Sequence, residues 1–83
     1  MKDWDIIDNK LTKEFDFKSF AEAVRFINSI ADIAEARNHH PDLYLHDNKL
    51  TIILQTQNVM AITQKDYNLA NAIDNVGKQW YLW

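Results

Sequence analysis

The stretch LTKEFDF, residues 11–17, places Leu11, Phe15 and Phe17 on one face and Thr12, Glu14 and Asp16 on the other. Alternation with period two predicts a half-buried strand. Lys13 interrupts the apolar face; near a sheet edge its stem can lie along that face while the ammonium reaches outward. A short apolar run at residues 4–7 reads as an edge strand. Asp8-Asn9 then favours a turn, since these side chains bond local backbone and tolerate left-handed geometry.

After Phe17 the period changes. Ser19 and Glu22 match a capping box, with the hydroxyl accepting from a free helical N–H and the carboxylate reaching back to the cap. Phe20, Val24, Ile27, Ile30, Ala31 and Ala34 recur at helical spacing, and Phe26 and Ile33 widen the stripe. A helix of about four to five turns with a broad buried face follows. It ends near Asn38, because Pro41 disfavours helical geometry at His40. Residues 43–45 and 49–57 form a second strand pair around a polar turn at Asp47-Asn48. Leu50, Ile52 and Leu54 share one face, and Thr51, Ile53, Gln55 and Gln57 the other. Thr63 caps a last helix with Asp66 in its first turn. Leu69, Ile73, Val76 and Trp80 line its apolar face, and Gly77 weakens or ends it. The expected fold class is α+β: a four-stranded antiparallel sheet with two helices packed on one face, in the order β-β-α-β-β-α.

Composition narrows the function. With 83 residues, one domain spanning 1–83 is expected, of a size that often relies on association for stability. There is no cysteine, which excludes disulfides, a thiol nucleophile and thiolate metal sites. A net charge of −3 with no basic run argues against direct nucleic-acid binding. No apolar stretch approaches the ~20 residues of a membrane helix. The opening MKDWDIIDNK is too acidic for a signal peptide, so a cytoplasmic protein without membrane contact is expected. The terminal Trp80-Tyr81-Leu82-Trp83 suggests a subunit contact or packing under the sheet.

The candidate chemistry centres on Asn38-His39-His40-Pro41-Asp42, where two of the three histidines precede the single proline. Imidazole exchanges protons near neutrality. Neighbouring side chains diverge, so the two rings suit two parts of a flat substrate better than one metal ion. A plainer reading stands beside this one: a histidine at a helix C-terminus interacts with exposed carbonyls and the helix dipole. In the same spirit, Glu35 is a solvated helix carboxylate, Asp66 a first-turn charge, Gln57 a surface strand residue and His46 a solvent-exposed neighbour of the turn.

The pattern resembles the pterin-4a-carbinolamine dehydratases. The resemblance runs over roughly residues 4–76: Glu35 followed by His39-His40-Pro41, the turn at Asp47-Asn48, Thr56-Gln57 at a strand end, and Thr63, Asp66, Leu69-Ala70 and Ile73-Asp74 in the last helix. It implies loss of water from a 4a-hydroxytetrahydropterin to give a quinonoid dihydropterin. That reaction regenerates a pterin cofactor with no metal or organic cofactor of its own, in a homodimer or homotetramer. It also implies roles. His40 is the principal proton-transfer group, His39 binds substrate and shares acid–base work, and Asp66 supports a site histidine. Glu35, Pro41, Thr56 and Gln57 contribute to substrate binding. The sequence departs from the family at Asp47, where an aromatic is usual, and at Gln57, where a third histidine is usual. An amide cannot exchange a proton as imidazole does. The alternative is therefore a non-catalytic pterin-binding or dimerisation module on the same fold. Binding of another pterin is a third option.

Overall fold

The alternation of residues 11–17 is realised in the computed structural model, which describes residues 3–80 and, at Trp80, the backbone only. The aromatic tail at residues 81–83, with the Trp80 side chain, lies outside the described residues. The elements are β1 (Asp5–Ile7), β2 (Lys10–Asp16), α1 (Phe20–Arg37), β3 (Asp42–His46), β4 (Lys49–Leu54) and α2 (Gln64–Trp80). The strands form one antiparallel sheet in the order β1-β2-β4-β3. Both hairpin turns fall at the expected Asx pairs. Asp8 and Asn9 take positive φ of 51° and 61°, and Asp47 takes 54°.

The register Leu11↔Leu54, Lys13↔Ile52, Phe15↔Leu50 aligns the apolar faces of β2 and β4 beneath the helices. Lys13 does not snorkel to the edge. It stays on the helix side, its Nζ 2.8 Å from Asp74 Oδ1 and 4.6 Å from the centre of the Phe15 ring. Trp4 Nε1–H donates to the other oxygen of Asp74 at 3.0 Å. A cation on this face is tolerated because α2 brings a carboxylate to it.

Ser19 caps α1 by accepting from Glu22 N–H at 3.1 Å, but the Glu22 carboxylate reaches past the cap to Lys18 N–H at 3.3 Å. The buried stripe of α1 is also rotated from the expected one. Ala23, Phe26, Ile30 and Ala34 are buried, whereas Phe20 is 59% exposed and Ala31 faces solvent. The sheet decides this: Phe26 fits between Phe15 and Phe17, with ring centres 5.2 and 5.0 Å away. Gly77 does not interrupt α2. It is buried one turn beyond Ile73 on the same stripe and stays helical. The β4 ladder stops at Leu54, three residues short of the expected strand. Thr56 persists only as an isolated bridge to Ala61.

On the sheet face away from the helices, Lys49 pairs with Asp16 at 2.9 Å. The hydrogen bond to Asp16, and then the charges of Asp16 and Glu14, hold the Lys49 pKa above its ordinary value. Among the described residues, no helix is long and apolar enough to cross a membrane.

Phe26→Ala is expected to cost about 3–5 kcal/mol in urea or thermal unfolding, from lost burial and the cavity left. Phe20→Ala should stay within about 0.5 kcal/mol, as at an ordinary surface position. Equal costs at the two positions would contradict the observed helix orientation.

Candidate functional site

The last turn of α1 sets the first part of the site. Asn38 takes the left-handed conformation at φ 49°. Its N–H bonds Glu35 O at 3.1 Å, while His39 N–H bonds Ala34 O at 3.1 Å. This pair of bonds is a Schellman ending, in which asparagine fills the position glycine usually takes. It reverses the chain sharply and turns His39 back under the helix toward α2.

Asp66 meets it there. Its side chain is fully buried in the first turn of α2, and Oδ1 lies 2.6 Å from His39 Nε2. Oδ2 accepts from Thr63 N–H and from the Thr56 hydroxyl, both at 2.8 Å. The Thr56 proton is thus committed, so the Thr63 hydroxyl, 2.6 Å away, donates to Thr56 Oγ1. Thr63 precedes α2 at the expected cap position, but its hydroxyl is engaged with Thr56, and it is Asp66 that reaches back to the Thr63 N–H. The side-chain oxygens are surrounded by groups able to donate, which is what a buried carboxyl group requires. A carboxylate only accepts, so it selects the His39 form with a proton on Nε2.

Outside this pair lies an open cleft of about 200 Å³. His39, His40, Thr56 and Gln57 line it, and Asn38, Asn58 and Lys65 complete the wall. Drug-sized ligands occupy pockets of roughly 300–1,000 Å³, so this volume suits a smaller molecule.

Of the seven candidate positions, four thus converge on one hollow, and Asp66 stands directly behind His39. Glu35 and Pro41 do not line it. The Glu35 carboxylate is largely exposed, with Oε1 3.4 Å from His40 Nε2. Pro41 leads into β3 and is half-buried. His40 itself is 55% exposed and spans cleft and solvent. His46 stands in solvent, away from the cleft. Gln57 is exposed at the start of the turn that follows the Thr56 bridge, with its carbonyl accepting from Met60 N–H at 3.2 Å.

Sequence reasoning did not single out Lys65 and Asn58. Lys65 was signalled indirectly: if Asp66 points inward at the entry of α2, its predecessor lies about a quarter-turn away, on the rim. Asn58 sits in a turn whose geometry depends on the bridge between Thr56 and Ala61, which periodicity does not reveal. Among the described residues, no three His, Asp or Glu side chains gather in a way that holds a metal ion.

Comparison with known proteins identifies the family of the chain. Residues 1–76 match the family model described as pterin 4 alpha carbinolamine dehydratase. A Picosynechococcus protein named "Putative pterin-4-alpha-carbinolamine dehydratase" is 42% identical over 74 residues, covering 89% of this chain and 80% of its own. One of the same name from Sulfolobus acidocaldarius is 40% identical over 73 residues, covering 88% and 80%. The crystal structure of a transcriptional coactivator/pterin dehydratase from Brucella melitensis superposes with a TM-score of 0.87 at 27% identity, over 92% of this chain and 83% of that one. A pterin dehydratase-like protein described as a RuBisCO assembly factor in the alpha-carboxysome shares the fold at a TM-score of 0.72 and 20% identity, over 88% and 84%. The element order, the match over nearly the whole length and these identities together mean that the chain belongs to the pterin-4-alpha-carbinolamine dehydratase family.

Proposed function

We propose that the chain dehydrates a 4a-hydroxytetrahydropterin to the quinonoid dihydropterin, with His39, His40 and Asp66 as its acid–base machinery. The observation that carries this reading is the His39 imidazole held 2.6 Å from buried Asp66, on the wall of a cleft shared with His40. In the reaction the C4a–O bond breaks and its electrons leave on oxygen, which takes a proton and departs as water. The N5 proton is removed, and its bonding electrons form C4a=N5. Both proton movements suit imidazole, and positioned acid–base groups contribute roughly 100- to 10,000-fold each.

His40 is the principal proton-transfer group in this proposal, because its half-exposed ring can exchange with water between turnovers. His39 has Nε2 committed to Asp66. It binds the substrate and shares acid–base work through its remaining nitrogen. Asp66 and Thr56 position that ring, Glu35 and Pro41 position His40, and the Gln57 amide hydrogen-bonds the ligand. The reaction requires no resident metal or organic cofactor. We further propose a cytoplasmic homodimer or homotetramer. Ile7, Tyr44 and Ile53, on the sheet face away from the helices, supply apolar surface for a second copy. Light scattering reads the oligomeric state, and a strictly monomeric chain would reject that part.

One observation favours a second reading. Gln57 stands where the family usually carries a third histidine, and among the described residues the cleft has only two imidazoles. A non-catalytic pterin-binding or interaction module on the same fold is the alternative.

Stopped-flow decay of a 4a-hydroxytetrahydropterin separates the two. Acceleration over buffer is expected, with about 100-fold or more of it lost in His40→Ala. No acceleration by the wild-type chain would reject catalysis, and a large gain in Gln57→His from that silent parent would favour the second reading. Asp66→Asn removes the carboxyl group behind His39. It should lower kcat more than it changes KM and shift the His39 imidazole ¹⁵N resonances away from the Nε2–H pattern. Unchanged resonances would rule out Asp66 as the group that sets the tautomer.

A further inference from the structure

A second hollow of about 220 Å³ adjoins the first, lined by Arg37, His39, Lys65 and Asn68. His39 and Lys65 belong to both walls. Among the described residues, no acidic side chain lines either hollow, although the chain has 12 Asp and Glu against 9 Lys and Arg. Among the described residues, neither Arg37 nor Lys65 has a carboxylate within ion-pair distance.

The two cations differ in what the fold explains. Arg37 lies in the last turn of α1, where a positive charge complements the helix dipole. Lys65 is the second residue of α2, where a positive charge opposes the dipole. Neither helix polarity nor an ion-pair partner accounts for Lys65 at that rim. An anion placed between the two would account for both. Arginine adds a planar fork that pairs with phosphate through two hydrogen bonds, and lysine adds a mobile point charge.

Resting on the pterin-site reading above, we infer that the physiological pterin carries a phosphate ester on its side chain, bound between Arg37 and Lys65 in the second hollow while the bicyclic ring occupies the first. The covalent structure of a pterin agrees with this division. The side chain at C6 is attached to the atom next to N5, and N5 is bonded to the reacting C4a. A substituent leaving the ring beside the reacting edge therefore passes into the adjoining hollow beside His39 and Lys65, the two residues that both hollows share.

Fluorescence titration with neopterin and with neopterin 3′-monophosphate tests the inference. The phosphate ester should bind at least about tenfold more tightly, as charge-assisted hydrogen bonds to two cations require. The ratio of the two affinities should shrink as ionic strength rises. It should fall toward one in the double variant Arg37→Gln/Lys65→Gln. Equal affinity for the two probes, or a preference that survives in the double variant, would overturn the inference and leave the pterin site itself standing. Binding of neither probe would overturn both.

Discussion

A single buried carboxylate holds the candidate site together. Asp66 has no contact with solvent and is joined at hydrogen-bond distance to His39 at the exit of α1, to Thr56 beyond β4, and to the Thr63 backbone at the entry of α2. An ionised acid in such a place is tolerated only when its lone pairs are taken up by donors. That requirement makes three chain segments, far apart in sequence, meet at one point. The cleft lies just outside that point, so its walls are the same segments that satisfy the acid.

Site and stability are therefore one problem here. A chain of 83 residues has a small core, and removing one partner of a buried charge typically costs about 3–5 kcal/mol, a large part of what such a fold retains. Helix α1 can end in a left-handed asparagine because His39 N–H and Asn38 N–H close its last carbonyls. The same closure aims the His39 ring at Asp66. The chain needs no separate scaffold for its imidazole, since the helix stop and the site geometry are the same set of bonds.

Much of this was legible in the sequence, for physical reasons that differ from part to part. Strand periodicity and the two Asx turns were readable because they depend on neighbours within a few residues. Both ends of α1 and the start of α2 were readable from Ser19, Pro41 and Thr63 for the same reason, whereas Gly77 did not mark the end of α2. What failed depended on tertiary partners. The stripe of α1 carried two overlapping apolar faces, and only the Phe15–Phe17 pair on the sheet selects Phe26 over Phe20. Lys13 looked like an edge residue because Asp74, its partner, lies 61 positions away. In the site, the grouping of His39, His40 and Asp66 came from resemblance, since nothing local links residue 39 to residue 66. Glu35 and Pro41 were grouped with the cleft on the same grounds, yet the geometry puts them beside His40 and not on the wall.

The contrast between Asp66 and Gln57 bears on how a reduced set of histidines can work. Residue 57 follows the point where β4 has left the sheet, in a turn held by Thr56, Met60 and Ala61 backbone bonds. Asn9 braces this turn by bonding Met60 O and accepting from Gln55 Nε2. Its backbone is thus well defined even though its side chain is exposed. A side chain there can be exchanged without disturbing the buried network, because none of the Asp66 contacts runs through it. In the proposed function position 57 tunes what the cleft does to a ligand, whereas Asp66 joins the segments that form the cleft walls. Loss of an imidazole at 57 removes one proton-exchange group and keeps a hydrogen-bonding one. The two protons of the proposed dehydration still have two imidazoles to serve them, one anchored by the interior and one open to water.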